Sequence, residues 1–102
     1  MRAIFNAAGC VIASDVRLEL EAGKITLDGW DAARKIGFEF ITTDAGDRAE
    51  FTPSVVAEIE TRMDRGELYL FLIDETLVPH PESLDRAAHR FLELLKSRGV
   101  LR

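Results

Sequence analysis

Residues 68–73 read Leu-Tyr-Leu-Phe-Leu-Ile, apolar at every position. A strand with one face in water alternates apolar and polar side chains. An unbroken run of this length therefore predicts a strand covered on both faces, at the centre of a sheet. The covering layers have to come from the remainder of the 102-residue chain. Thr52-Pro53 starts a helix, as a capping hydroxyl followed by proline at the first helical position. Val55, Val56, Ile59 and Met63 give that helix its apolar stripe, and Gly66 ends it, predicting a helix over 53–65. A second helix is predicted over about 82–98, from Pro81–Ser83 to Gly99. Its buried side carries Leu84, Ala87, Ala88, Phe91, Leu92 and Leu95, and Val100-Leu101 fold back on it as the apolar partner of its C-cap.

The other strands lie upstream. Residues 16–21 alternate strictly, with Val16, Leu18 and Leu20 opposed to Arg17, Glu19 and Glu21, which predicts a half-solvated strand. Ala22-Gly23 turns the chain, and Ile25 and Leu27 continue the pattern as the second arm of a hairpin. Asp31 to Ile36 form one or two helical turns, with Asp31 as N-cap and Gly37 past the end, or a continuous loop. Residues 36–42 follow as a strand, and residues 44–50 as a polar loop. Residues 3–13, where Ile4-Phe5 and Val11-Ile12 flank Asn6-Ala-Ala-Gly9, favour a short hairpin over a helix. The expected fold is α+β: one globular domain over 1–102, with a small mixed sheet in the order hairpin-β-α-β-α and helices 53–65 and about 82–98 packed on it. Strands 36–42 and 68–73 should run parallel through the intervening helix, in a right-handed crossover.

Composition removes several functions. Eighteen acids stand against 13 bases, a formal charge of −5, and the bases are dispersed among acids. Nucleic-acid binding requires clustered Lys and Arg, so none is expected. Cys10 is the only cysteine, which excludes an intramolecular disulfide and a thiolate metal cluster; its neighbours Gly9, Val11 and Ile12 mark it as a small buried hydrophobe. The first residues have no apolar region followed by a small-residue cleavage site. No apolar run approaches the ~20 residues that span a bilayer. A cytoplasmic protein with no membrane contact is the expectation.

Three carboxylates, Asp28, Asp31 and Glu39, fall where two adjacent strands meet. Oxygen donors so placed are the ligands that Mg²⁺ or Mn²⁺ prefers, and they are the metal candidates of this chain. The element order, with Asp28 on the second strand and Glu39 on the third, resembles the restriction-endonuclease-like nuclease fold over roughly residues 16–98. The resemblance implies a metal-dependent hydrolase whose motif, Asp then Glu-x-Lys, maps onto Asp28 and Glu39 and requires a lysine at position 41. Ile41 stands there, so the cation that orients the attacking water is missing, and the first helix of that fold has no clear counterpart. The structural alternative assigns Asp28-Gly29 to a turn, Asp31 to a cap and Glu39 to an ion pair with a neighbouring Arg or Lys.

Asp74-Glu75, at the end of the apolar strand, occupy the place where α/β sheets bind ligands, or simply end the strand. His80 and His89 have no His or Cys at ligand spacing and read as surface residues. Trp30 seals the end of a core or, if exposed, anchors a partner. There is no Gly-rich phosphate loop and no G-x-S-x-G, C-x-x-C or H-E-x-x-H. The balance is against an enzyme. The leading expectation is a small cytoplasmic non-catalytic domain acting through protein–protein contacts, as a homodimer or with another protein. The alternative is a degenerate or divergent metal-dependent hydrolase of the nuclease-like layout, the only reading that brings in a cofactor (Mg²⁺ or Mn²⁺). A small-ligand sensor using the sheet end near Asp74 is the third.

Overall fold

The computed structural model describes residues 1–42, 49–74 and 80–101. The expected loop over 44–50 lies largely outside them, as does Glu75. The chain runs α1 (Arg2–Ala7), β1 (Ala13–Glu19), β2 (Lys24–Asp31), β3 (Ile36–Ile41), α2 (Pro53–Asp64), β4 (Tyr69–Asp74) and α3 (Pro81–Ser97). The strands form one mixed sheet in the order β1-β2-β3-β4. β1, β2 and β3 are antiparallel neighbours, and β4 runs parallel to β3 from Ile36↔Tyr69 to Ile41↔Asp74. This is the expected α+β class, with a strand–helix–strand unit built by α2.

Both long helices begin and end as their sequences dictate. The Thr52 hydroxyl accepts the Val55 N–H at 3.2 Å, Pro53 opens α2, and Gly66 follows it with φ +75°. After α3 the chain reverses at Gly99, φ +77°, and the Val100 N–H bonds to the Leu95 carbonyl at 2.9 Å. That reversal returns Leu101 to the core, where it is buried.

Two apolar layers sandwich the sheet. On one face Val55 and Ile59 of α2 meet Leu20, Ile25, Leu27, Trp30, Leu68 and Leu70. On the other, α1 and α3 supply Phe5, Ala88, Leu92 and Leu95 to Ile36 and Phe38 of β3. Leu27 and Trp30 join the same layer although three residues apart in one strand. Regular alternation therefore breaks between them, at the level where Asp15 on β1 holds φ at 53°.

Three expectations need correction. The apolar strand is not central: among the described residues β4 pairs only with β3 and is the edge of the sheet. An all-apolar run reports two covered faces, and here both are covered, but it carries no information about how many edges are paired. Residues 2–7 form α1 rather than a hairpin arm. Six residues are too few for propensity to decide; the helix is held by Phe5, fully buried, with its ring centroid 4.8 Å from that of Phe38 and 6.2 Å from that of Phe91. On α3, Ala87 is exposed and Phe91 only half-buried, because the helix leans on the sheet through Ala88, Leu92 and Leu95.

Gly37 shows how tightly the centre is packed. A Cβ there would lie 2.6 Å from the Gly29 carbonyl oxygen and 2.7 Å from the Trp30 ring. Gly37→Ala should lower unfolding free energy by about 1–3 kcal/mol, the usual cost of overfilling a packed core. Urea denaturation checks it, and an unchanged midpoint would mean that Trp30 yields freely.

Candidate functional site

Asp31 and Glu39 leave the sheet on opposite faces, so the three candidate carboxylates do not gather at one point. Asp31 ends β2 opposite Ile36, on the face covered by α1 and α3. Glu39 follows Phe38 along β3, so its side chain leaves the sheet on the opposite face, where it is buried. Asp28 is exposed, and its Oδ2 accepts the Phe40 N–H at 2.9 Å. Among the described residues no group of three His, Cys, Asp or Glu is placed to hold a metal ion. Ile41, where the nuclease motif requires lysine, is buried and apolar.

Asp31 is the most constrained of the three, with 1% exposure. Its Oδ2 accepts the Val11 N–H at 2.8 Å, and its Oδ1 the Arg34 N–H at 2.9 Å. The Arg34 guanidinium lies 3.1 Å from Oδ2. The turn from β2 to β3 closes beneath it, with the Lys35 N–H donating to the Asp31 carbonyl at 2.8 Å and Lys35 at φ +61°. The expected N-cap contact is thus present, but it closes a tight hairpin turn instead of opening a helix. Burial alone would push the Asp31 carboxyl up; the N–H groups of Val11 and Arg34 and the Arg34 cation outweigh it and hold the carboxyl below its ordinary value.

Two carboxylates missed in the sequence do similar work. β2–β3 pairing runs from Asp31↔Ile36 to Gly29↔Phe38. Beyond it, Glu50 Oε1 accepts the Thr26 N–H at 2.6 Å, as Asp28 accepts that of Phe40. Glu58 on α2 accepts the N–H groups of Glu21 and Ala22 at 3.1 and 2.7 Å and pairs with Arg62 at 2.8 Å, fastening the β1–β2 turn to the helix. These residues carried no signal in the sequence, because each lies more than 20 positions from the backbone group it serves. Each of these carboxylates thus has a backbone partner that accounts for its position in the fold.

Cys10 is buried beside Asp31, and its thiol is pushed up by burial and by the Asp31 charge, with Arg34 opposing. It stays a protonated, unreactive thiol. Trp30 is 5% exposed and seals the α2 layer. His80 and His89 are exposed, His89 in a shallow groove between α1 and α3 with Glu93 and Lys96. Asp74, at the end of β4, is half-buried.

A groove of about 470 Å³ runs along α3, lined by Ser83, Arg86, Ala87, Arg90, Phe91 and Leu94. Leu94 is 49% exposed, and no ion pair engages Arg86 or Arg90 among the described residues. No family model, no curated protein and no solved structure matches this chain.

Because the folded Asp31 carboxyl titrates below its ordinary range, its contribution to stability is present above that range and is lost as pH falls through the folded value. Asp31→Asn should cost about 1–3 kcal/mol at neutral pH, since an amide nitrogen would face N–H donors. The loss of stability below roughly pH 4 should be shallower in the variant than in the wild type. Parallel acid-denaturation curves would sink this assignment. Cys10 should react with iodoacetamide far more slowly in the native than in the urea-unfolded chain, as mass spectrometry will read; equal rates would place the thiol at the surface.

Proposed function

We propose that this chain is a small non-catalytic domain, working in the cytoplasm, that acts through contacts with other protein chains. One observation carries the reading: the sheet ends on an apolar strand, β4, that has no charged residue before Asp74 and whose outer edge no described residue pairs. Natural sheets blunt their edges with charges, bulges or covering elements. The opposite edge does so, since β1 alternates exposed Arg17 and Glu19 and is bent at Asp15. An edge left without such protection fits a strand that another chain completes.

The carboxylates support the same reading from the other side. Asp28 and Asp31, two of the three acids that invited a catalytic interpretation, are engaged with backbone N–H groups, as are Glu50 and Glu58. The free, buried thiol suits a reducing compartment. The C-terminal apolar pair adds nothing to a dimer surface, because Leu101 is buried in its own core and Val100 packs against it.

Photo-cross-linking tests the proposal. A tagged chain carrying benzoylphenylalanine, at Leu94 in one variant and at Val11 in another, should form discrete adducts with protein in native extract. Val11 is 73% exposed and serves as a second reporter, at the junction of α1 and β1. No adduct from either position would overturn the reading, and Mg²⁺- or Mn²⁺-dependent cleavage of DNA or RNA that Asp28→Asn and Glu39→Gln both abolish would replace it with the hydrolase.

A further inference from the structure

The groove on α3 reaches β4 through Phe91, which stacks on Phe71, and no described residue pairs the outer edge of that strand. Helix geometry fixes where the groove lies. The flank of α3 that carries His89, Leu92, Glu93 and Lys96 faces α1. At 3.6 residues per turn, Ser83, Ala87 and Leu94 project from the opposite flank. Phe91 stands between the two flanks, stacked on Phe71 of β4 with centroids 5.2 Å apart. The groove therefore opens past Phe91 on the side of β4 that faces away from β3.

The backbone of β4 is available in the same place. The Tyr69 N–H donates to the Lys35 carbonyl at 2.8 Å, towards β3. Successive residues of a strand turn their N–H and C=O to alternate sides, so Leu70 and Leu72 present theirs outward. A strand laid there would send alternate side chains into the α3 groove and the others towards the face of Leu70 and Leu72. The groove side offers Ala87, Phe91 and Leu94 together with Arg86 and Arg90, whose guanidinia no ion pair engages among the described residues. Two cations one turn apart, on a chain whose net charge is −5, select carboxylates.

We infer that the β4 edge and the Arg86/Arg90 flank of α3 bind an extended peptide segment of another protein, in which acidic residues alternate with apolar ones. The segment adds a strand to β4, its carboxylates reach Arg86 and Arg90, and its apolar side chains continue the layer of Leu70 and Leu72. A second copy of this chain is the poorer occupant. Pairing β4 with β4 about a two-fold axis would set the Arg86/Arg90 flanks of both copies on the same side of the joined sheet, unneutralised. The inference rests on the interaction-domain reading and narrows it to one site and one partner chemistry.

The test uses the full chain and a blocked, fluorescent peptide of alternating glutamate and valine. Polarisation titrations should show saturable binding that weakens as salt rises. A lysine–valine peptide should bind at least about tenfold less tightly, and Arg86→Glu with Arg90→Glu should reverse that preference. Both arginines are on the exposed side of α3, and an unchanged thermal melt confirms that the variant is folded. Peptide N-methylated at the alternate amides that face β4 should not bind, because strand addition requires those donors. Equal binding of the acidic and basic peptides, indifference to the charge reversal, or tight binding of the N-methylated peptide would overturn the proposal. So would an oligonucleotide that binds more tightly than the peptide, or a dimer in sedimentation that excludes the peptide and dissociates on Leu72→Pro. If the peptide fails while cross-links form from Val11, this site is wrong and the interaction reading stands; if neither occurs, both fall.

Discussion

Asp31 is where the separate parts of this small fold are tied together. Its two oxygens receive N–H groups from opposite directions: Val11 from the segment that leads α1 into β1, and Arg34 from the turn that joins β2 to β3. The guanidinium of Arg34 lies over one of them. Two stretches of chain, one around Val11 and one from Asp31 to Arg34, thus meet at one buried carboxylate. The arrangement is stable because the charge is met by two amide donors and a cation, where an unmet carboxylate at that depth would be driven to take up a proton. The turn it closes sets the β2–β3 register, and that register brings Gly37 opposite Trp30 and Gly29 opposite Phe38. Both large rings then lie flat against backbone, one in each apolar layer.

The same carboxylate illustrates what the sequence could and could not say. That Asp31 caps a turn was legible, since an aspartate before Ala-Ala-Arg-Lys has a local backbone group to accept. Its bond to Val11 was not, because that partner is 20 residues away and is placed by α1, an element that propensity disfavoured. The helices 53–64 and 81–97 were legible from caps and stripes that are themselves local. Their assembly was partly legible: parallel β3 and β4 follow from the helix between them, and the burial of Cys10, Trp30 and Leu101 follows from their apolar neighbours. The position of β4 was not, because periodicity counts covered faces and says nothing about hydrogen-bonding edges. Clustering of Asp28, Asp31 and Glu39 in sequence likewise carried no guarantee of clustering in space. Two of them leave the sheet on opposite faces, which one residue of strand register decides.

The acids also explain how a sheet can splay without leaving backbone donors bare. Past Gly29 and Phe38, β2 and β3 diverge, and the N–H groups of Thr26 and Phe40 turn to the carboxylates of Glu50 and Asp28. Glu58 performs the equivalent service for the β1–β2 turn. No buried side-chain nitrogen or oxygen among the described residues lacks a partner. A chain with 18 acids therefore uses several of its carboxylates as backbone acceptors. An excess of acid in a sequence is weak evidence for a metal site until the fold shows how many of those acids are already engaged.

The two edges of the sheet differ in how they meet an approaching strand. A strand edge is a template for any extended chain, the protein's own copy included, and its danger grows with apolarity. β1 answers this with charges and a bend at Asp15. β4 carries no charge before Asp74, so selection among approaching strands falls to groups outside its apolar run. Overall charge acts only weakly over distance, because salt screens it within about 8 Å at physiological ionic strength. Arg86 and Arg90 line the same groove as Phe91, whose ring stacks on Phe71 of β4, and under the proposed binding they are the cations that an added strand meets. They disfavour a partner that brings its own pair and favour one that brings carboxylates. An edge that is apolar in its backbone strand and cationic at its flank is selective without being blocked, and that combination distinguishes β4 from an unprotected edge that would simply aggregate.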